Sequence, residues 1–174
     1  TVVTAAGSPA APAPRAIEGP HLAALPRPWF TKGSYFSIQG QTPFSRLIYP
    51  MPDTSSLGLH LTIDLAGRGK VGPDAEWLAE DARPPFDYRV NPARAAVFLR
   101  EVNRYWPGLT EDRLVPDYAG VRPKLVPPGA PSGDFRIEGP ETHGSPGLIN
   151  LLGIESPGLT SSLSIAEHVT GLAA

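Results

Sequence analysis

The stretch GLINLLGIESPGLTSSLSIAEHV, residues 147–169, decides the reading of this chain. Its first part, GLINLLGI (147–154), is almost wholly apolar, which predicts a strand buried on both faces. Ser156, Pro157 and Gly158 then predict a turn. Beyond the turn, Leu159, Leu163, Ala166, Val169 and Leu172 recur at helical spacing, which predicts a helix with these residues on its inner side. Such a junction points free N–H groups and the positive end of a helix dipole outward. Gly158 would let a flat ligand approach the backbone. The place suits an anion, or an aromatic ring that gains negative charge on reduction. Every helix has such an end, so an ordinary capped helix is the other reading of the same spacing.

Working outward, DFRIEG (134–139) predicts a short strand and RLVPDYAGVRPKLV (113–126) an extended segment. NPARAAVFLREVNRYWPG (91–108) predicts a helix over 91–106. Asn91 suits its N-cap and Pro92 its first position. Ala95, Phe98, Leu99, Val102 and Trp106 form its inner stripe, and Pro107 and Gly108 stop it. LGLHLTIDL (57–65) alternates, with Leu57, Leu59, Leu61, Ile63 and Leu65 on one face and Gly58, His60, Thr62 and Asp64 on the other. AGRGK turns the chain and KVGPDAEWL returns as a partner. KGSYFSI (32–38) and SRLIYPM (45–51) predict further strands. TVVTAAG (1–7) predicts a buried strand that ends in a glycine turn. Prolines break up residues 8–30. The sum is an α+β fold: a mostly antiparallel sheet, one mid-chain helix, and a last strand feeding a C-terminal helix.

The 174 residues suffice for one ordinary core. A net charge of −2 gives no basic surface for nucleic acid or membrane. With no cysteine there is no disulfide, zinc-thiolate or thiol chemistry, which suits a reducing, cytoplasmic compartment. No run is long and apolar enough to span a membrane. The first residues lack the pattern of a signal peptide. A chain that opens inside a β-branched run reads as a piece of something longer.

GRGKVG (67–72) matches the dinucleotide pattern G-x-G-x-x-G by letter. That pattern works only where a helix begins, and Pro73 and Asp74 follow instead, so a hairpin is the reading. Arg122 precedes Pro123 and is therefore held extended. Its guanidinium is a planar fork that can grip a carboxylate, or an ordinary surface charge. Lys124 falls on the same face, where two cations call for an anion. His60 lies on the polar face of its strand and can take a proton, or is simply a wet-face histidine. His21, His143 and His168 have no partner at metal-ligand spacing, so no metal is expected. His143 is expected in the polar loop PETHGSPG. No Ser–His–Asp set, P-loop or Cys/His cluster can be assembled.

In order, TVVTAAG, KGSYF, FSRLIYPMP, LGLHLTIDLAGRGKVGPDAEW, RYWPGL, PDYAGVRPKL and DFRIEGPETHGSPGLINLLGIESPGLTSSLSIAEHV resemble the C-terminal half of FAD-dependent oxidoreductases of the D-amino-acid-oxidase superfamily. The L-2-hydroxyglutarate dehydrogenase/oxidase branch is the nearest in pattern. The resemblance implies FAD as cofactor and a small 2-hydroxy or amino acid as substrate. It implies that the N-terminal half, with the true dinucleotide fingerprint, is missing here. Residues 1–30 would be a remnant of the FAD-binding part and its crossover. Residues 31–135 would be the substrate-binding sheet, and 136–174 the return strand and flavin-side helix. Arg122 matches the arginine that holds the substrate carboxylate, and His60 a histidine placed to act as base. Gly158, Leu159 and Thr160 match the turn beside the flavin pyrimidine, and Gly7 a glycine near the cofactor. Tyr35 and Lys124 match the pocket wall. Thr4 stands where asparagine is common. The implied reaction is oxidation of L-2-hydroxyglutarate, or a related 2-hydroxy acid, to the 2-oxo acid. The alternatives are a glycine- or D-amino-acid-type oxidase and an inactive truncated substrate domain.

Overall fold

The computed structural model describes residues 1–5, 17–19, 25–51, 58–131 and 133–173. In chain order the strands are β1 (Val2–Thr4), β2 (Trp29–Ile38), β3 (Leu61–Ile63), β4 (Gly69–Val71), β5 (Glu76–Trp77), β6 (Leu114–Lys124), β7 (Arg136–Glu138) and β8 (Leu148–Leu152). The helices are α1 (Ala95–Val102), α2 (Pro140–His143) and α3 (Ser162–Ala173). The fold is α+β. The chain forms two compact units: Thr1–Phe30, Ala79–Pro84 and Arg122–Ala174 make one, and Thr31–Leu78 and Pro85–Val121 the other.

The second unit is built on an antiparallel sheet in the order β3-β4-β2-β5, with β6 also pairing β2. Its core lies on one face. Phe36, Leu61 and Val71 from the strands meet Phe98 and Val102 from α1, and all five are fully buried. The Phe36 and Phe98 rings lie 4.7 Å apart. The helix enters as its sequence predicts: the Asn91 side chain accepts the Ala93 N–H at 3.0 Å. Its first turn, Pro92–Arg94, is a 3-10 turn. The α-helix itself ends at Val102, short of the expected 106, though the Trp106 N–H still bonds the Val102 carbonyl at 2.8 Å.

Asp74 ties the start of this helix to the sheet. Buried, it accepts the Ser34 N–H at 2.7 Å and also the Arg94 guanidinium, which reaches Glu76 at 2.9 Å.

The 57–65 strand is shorter than its alternation suggests. Leu59 and Leu61 are buried and Ile63 packs on the core, but Leu65 is fully exposed. Asp64 explains this, because its Oδ1 accepts the N–H groups of Ala66 and Arg68, both at 2.9 Å, and closes a hairpin. These bonds, the Arg68 N–H foremost, hold the Asp64 carboxyl below the ordinary range. GRGKVG is thus a turn plus β4, as read. Leu57 lies outside the described residues. SRLIYPM is a correction: only Ile48 pairs, exchanging two 2.9 Å bonds with Leu61, and Pro50 cannot donate to a ladder.

The first unit holds a three-stranded sheet, β1-β8-β7. β8 is buried as its composition predicts: Leu148, Ile149 and Asn150 are 3%, 1% and 0% exposed. β1 runs parallel to it, with Val2 opposite Leu148 and Thr4 opposite Asn150. As an edge strand it leaves Val2 and Val3 half exposed, against the expectation of a buried strand. Thr4, Asn150 and Glu138 form one buried polar row across the three strands. Thr4 Oγ1 donates to Asn150 Oδ1 at 2.7 Å, and Arg136 pairs with Glu138. Asn150 Nδ2 and Glu138 Oε2 make no hydrogen bond.

α2 replaces an expected loop. Pro140 starts it, Gly144 ends it in the left-handed region, and His143 is buried. α3 is present, but its inner stripe is rotated. Ile165, Val169 and Leu172 are half-buried, whereas Leu159 and Leu163 are 91% and 85% exposed.

Phe98→Ala removes the ring on which the second unit's core closes, and should lower stability by about 3–5 kcal/mol in urea unfolding. Tyr105 donates to the Leu59 carbonyl at 3.3 Å, and burial pushes its pKa up to about 12. The folded chain therefore holds this proton more tightly than the unfolded chain, whose tyrosines titrate near about 10. The stability linked to it is complete below pH of about 10 and is lost as pH rises toward 12. Unfolding titrations across that window should show a decline that flattens in Tyr105→Phe.

Candidate active site

In the second unit, sheet register decides which candidates share a face. Leu61 opposes Val71, and Val71 opposes Phe36, on the core face. One residue along, His60, Gly72 and Tyr35 therefore fall together on the other face. The Gly72 N–H donates to the His60 carbonyl at 3.0 Å, continuing the ladder. Gly72 is required here: its φ is +138°, and a Cβ would stand 2.7 Å from Tyr35 Cδ1 and from the Ser34 carbonyl oxygen. The Tyr35 ring occupies the space that a side chain at 72 would take.

Aromatic rings border this row on both sides. The Tyr49 ring lies 4.0 Å from the half-buried His60 ring, at 34° to it. The Tyr118 ring stacks on Tyr35 at 4.5 Å and 18°. Lys70 sits 4.6 Å over the Tyr118 ring and 2.9 Å from Asp117. Asp117 also accepts the Ser37 hydroxyl at 2.6 Å. That hydroxyl first, and then Lys70, hold the Asp117 carboxyl below its ordinary range. Sequence reasoning named His60 and Tyr35 but missed Tyr49, Gly72, Lys70 and Tyr118. The signal was present in part, since Lys70 and Gly72 alternate with the core residue Val71.

The first unit carries the remaining candidates. Arg122 lies on β6, half-buried, before buried Pro123. Lys124 forms an ion pair with Glu155 at 2.5 Å, with both side chains mostly buried. The anion that the two cations called for is thus a residue of the chain itself. Glu155 opens the turn into α3, and its carbonyl accepts the Gly158 N–H at 2.5 Å. Gly158 is buried, and a Cβ there would fall 2.5 Å from Ile154 Cγ2 and 2.7 Å from the Glu155 carbonyl oxygen. Leu159 and Thr160 are exposed. Ser161 donates its hydroxyl to the Pro157 carbonyl at 3.1 Å.

Gly158 is thus packed against its own chain, which corrects the expectation that a ligand approaches its backbone; the turn instead offers open apolar surface at Leu159 and Leu163 beside the positive end of a twelve-residue helix. These features fit a flat apolar ring that gains negative charge.

Gly7 and His21 lie outside the described residues. His143 is buried, with Nδ1 accepting the Ser145 N–H at 3.2 Å, and His168 is exposed on α3. Among the described residues no cluster of three His, Asp or Glu could hold a metal ion. No helix among them is long and apolar enough to cross a membrane.

Comparison with known proteins adds to this geometry. The chain is 46% identical over 175 residues to the mitochondrial L-2-hydroxyglutarate dehydrogenase of Arabidopsis thaliana, covering 97% of this chain and 36% of that protein. It is 29% identical over 172 residues to the L-2-hydroxyglutarate dehydrogenase of Salmonella houtenae, covering 79% of this chain and 40% of that one. The chain thus spans well under half the length of these relatives. In fold it is similar to the dithionite-reduced L-alpha-glycerophosphate oxidase of Mycoplasma pneumoniae with FAD bound. That match has a TM-score of 0.69 at 21% identity, over 98% of this chain and 42% of that one. It is also similar to the glycerol-3-phosphate dehydrogenase of Bacillus halodurans complexed with FAD, with a TM-score of 0.58 at 18% identity over 99% and 32% of the two chains. Residues 1–172 match the model of the family described as DAO, FAD dependent oxidoreductase, and the chain belongs to that family.

Proposed function

We propose that the protein containing this chain oxidises a 2-hydroxy acid, L-2-hydroxyglutarate, to the 2-oxo acid with FAD as cofactor. The observation that carries this reading is the 46% identity to the Arabidopsis L-2-hydroxyglutarate dehydrogenase over 97% of the chain. When bound, FAD supplies the two-electron acceptor for the hydride that leaves substrate C2. Arg122 grips the substrate carboxylate with two parallel N–H donors and thereby fixes C2. His60 takes the hydroxyl proton as C2 loses its hydride. Tyr35 walls the pocket beside it, and Lys124, paired with Glu155, stands two residues from Arg122. Gly158, Leu159 and Thr160 would hold the flavin at the start of α3, where the dipole favours negative charge on a reduced ring.

In this reading residues 31–135 form the substrate part, while 1–30 and 136–174 belong to the flavin side. The dinucleotide-binding half is supplied by sequence outside this chain, a view supported by the 36% coverage of the Arabidopsis relative. A cytoplasmic location remains our expectation, from a cysteine-free composition suited to a reducing compartment.

The test is anaerobic bleaching of the flavin in the FAD-loaded protein. L-2-hydroxyglutarate should bleach it rapidly, and glycine or D-amino acids should not; the reverse preference sinks the hydroxy-acid reading. His60→Ala should slow bleaching at saturating substrate by about 10²–10⁴-fold. Arg122→Met should instead raise the half-saturating substrate concentration by about tenfold or more.

A further inference from the structure

We propose that Lys124 and Glu155 are a positioning pair that sets the end of β6, which carries Arg122, against the turn at Gly158. The inference rests on the function proposed above and names how its carboxylate-binding residue is held. Arg122, Lys124, Glu155 and Gly158 all lie in the first unit, so their relation is internal to one compact body. Lys124 Nζ meets Glu155 Oε1 at 2.5 Å, and the two side chains are only 24% and 17% exposed. Shielding from water strengthens such a pair relative to a surface one.

Glu155 works at both ends. Its carboxylate holds the lysine, and its carbonyl accepts the Gly158 N–H that closes the turn. A second contact runs alongside. Leu125 packs so closely on Gly153 that a Cβ there would fall 2.7 Å from the leucine Cγ. Two adjacent residues of the Arg122 segment, Lys124 and Leu125, are thereby fixed to the two ends of the segment 153–155.

A lysine spent on Glu155 is not a free cation for substrate. Its effect on binding passes through the placement of Arg122 relative to the turn. A guanidinium shifted out of line loses its paired hydrogen bonds to the carboxylate, so the cost falls first on substrate affinity.

The test uses the FAD-loaded protein that contains this chain, with Lys124→Met, Glu155→Gln and the exchanged double variant Lys124→Glu/Glu155→Lys. Four quantities are read: KM and kcat for L-2-hydroxyglutarate, the Kd of the unreactive dicarboxylate glutarate from its perturbation of flavin absorbance, and the Kd for FAD. Each single variant should raise KM and the glutarate Kd by about tenfold, with a smaller change in kcat. The exchanged variant should recover most of that loss, because the pair is restored with its direction reversed. Loss in Lys124→Met with Glu155→Gln unchanged, or failure of the exchange to recover binding, overturns the positioning role. So does a fall in Tm with all four quantities unchanged. A wild-type flavin that no 2-hydroxy acid reduces overturns the proposed function, and this role with it.

Discussion

The parallel pairing of Val2, Val3 and Thr4 with Leu148, Ile149 and Asn150 is the constraint on which the first unit depends. It joins residues more than 140 positions apart, fastened by the bond from Thr4 Oγ1 to Asn150 Oδ1 (|i−j| = 146). Closing so long a loop is entropically unfavourable, and the cost grows only slowly with its length. The sheet offsets that cost by burying Leu148 and Ile149 and by pairing β7 on the other side of β8. Once β8 is fixed, its exit at Gly153 fixes Glu155, and Glu155 fixes both the turn at Gly158 and the lysine two residues from Arg122.

In the second unit the equivalent constraint is sheet parity. Val71 points into a core closed by Phe36, Leu61 and Phe98, so Lys70 and Gly72 must face the other way. The other face then collects His60, Tyr35, Lys70 and the rings of Tyr49 and Tyr118 without any of them entering the core. Asp74 locks this arrangement from beneath, because the carboxylate that accepts the Ser34 N–H also anchors Arg94 ahead of α1. Chemistry-bearing groups can vary on such a face while the packing that orients them stays intact.

Most elements were legible because local physics agrees with the tertiary outcome. Asn91 and Pro92 announced a helix start, the run from Leu148 announced a buried strand, and the alternation of Leu59 and Leu61 announced which face His60 takes. The errors fall where a side chain or a neighbour outranks the pattern. Asp64 captures two backbone N–H groups and ends a strand whose leucines continue. Pro50 denies SRLIYPM a second ladder bond. Leu163 fits the helical period yet is exposed, because periodicity gives a stripe and not what packs against it. In the candidate site, the face that His60 takes was legible by parity and the extended backbone at Arg122 by the proline that follows it, whereas Tyr35 came only from the family resemblance. Glu155 was not, since nothing in sequence spacing links it to a lysine 31 residues earlier.

The buried row of Thr4, Asn150 and Glu138 already carries one amide hydrogen-bond donor and one carboxylate oxygen with no hydrogen bond. Sliding β1 by a single position would swap Thr4 for Val3 or Ala5 in that row and strand the Asn150 carbonyl oxygen as well. Each dry polar group costs about 1–3 kcal/mol, so an intolerance of error proofreads the closure of the sheet. The chain ends can meet in neighbouring alignments, but only one of them leaves the amide oxygen satisfied.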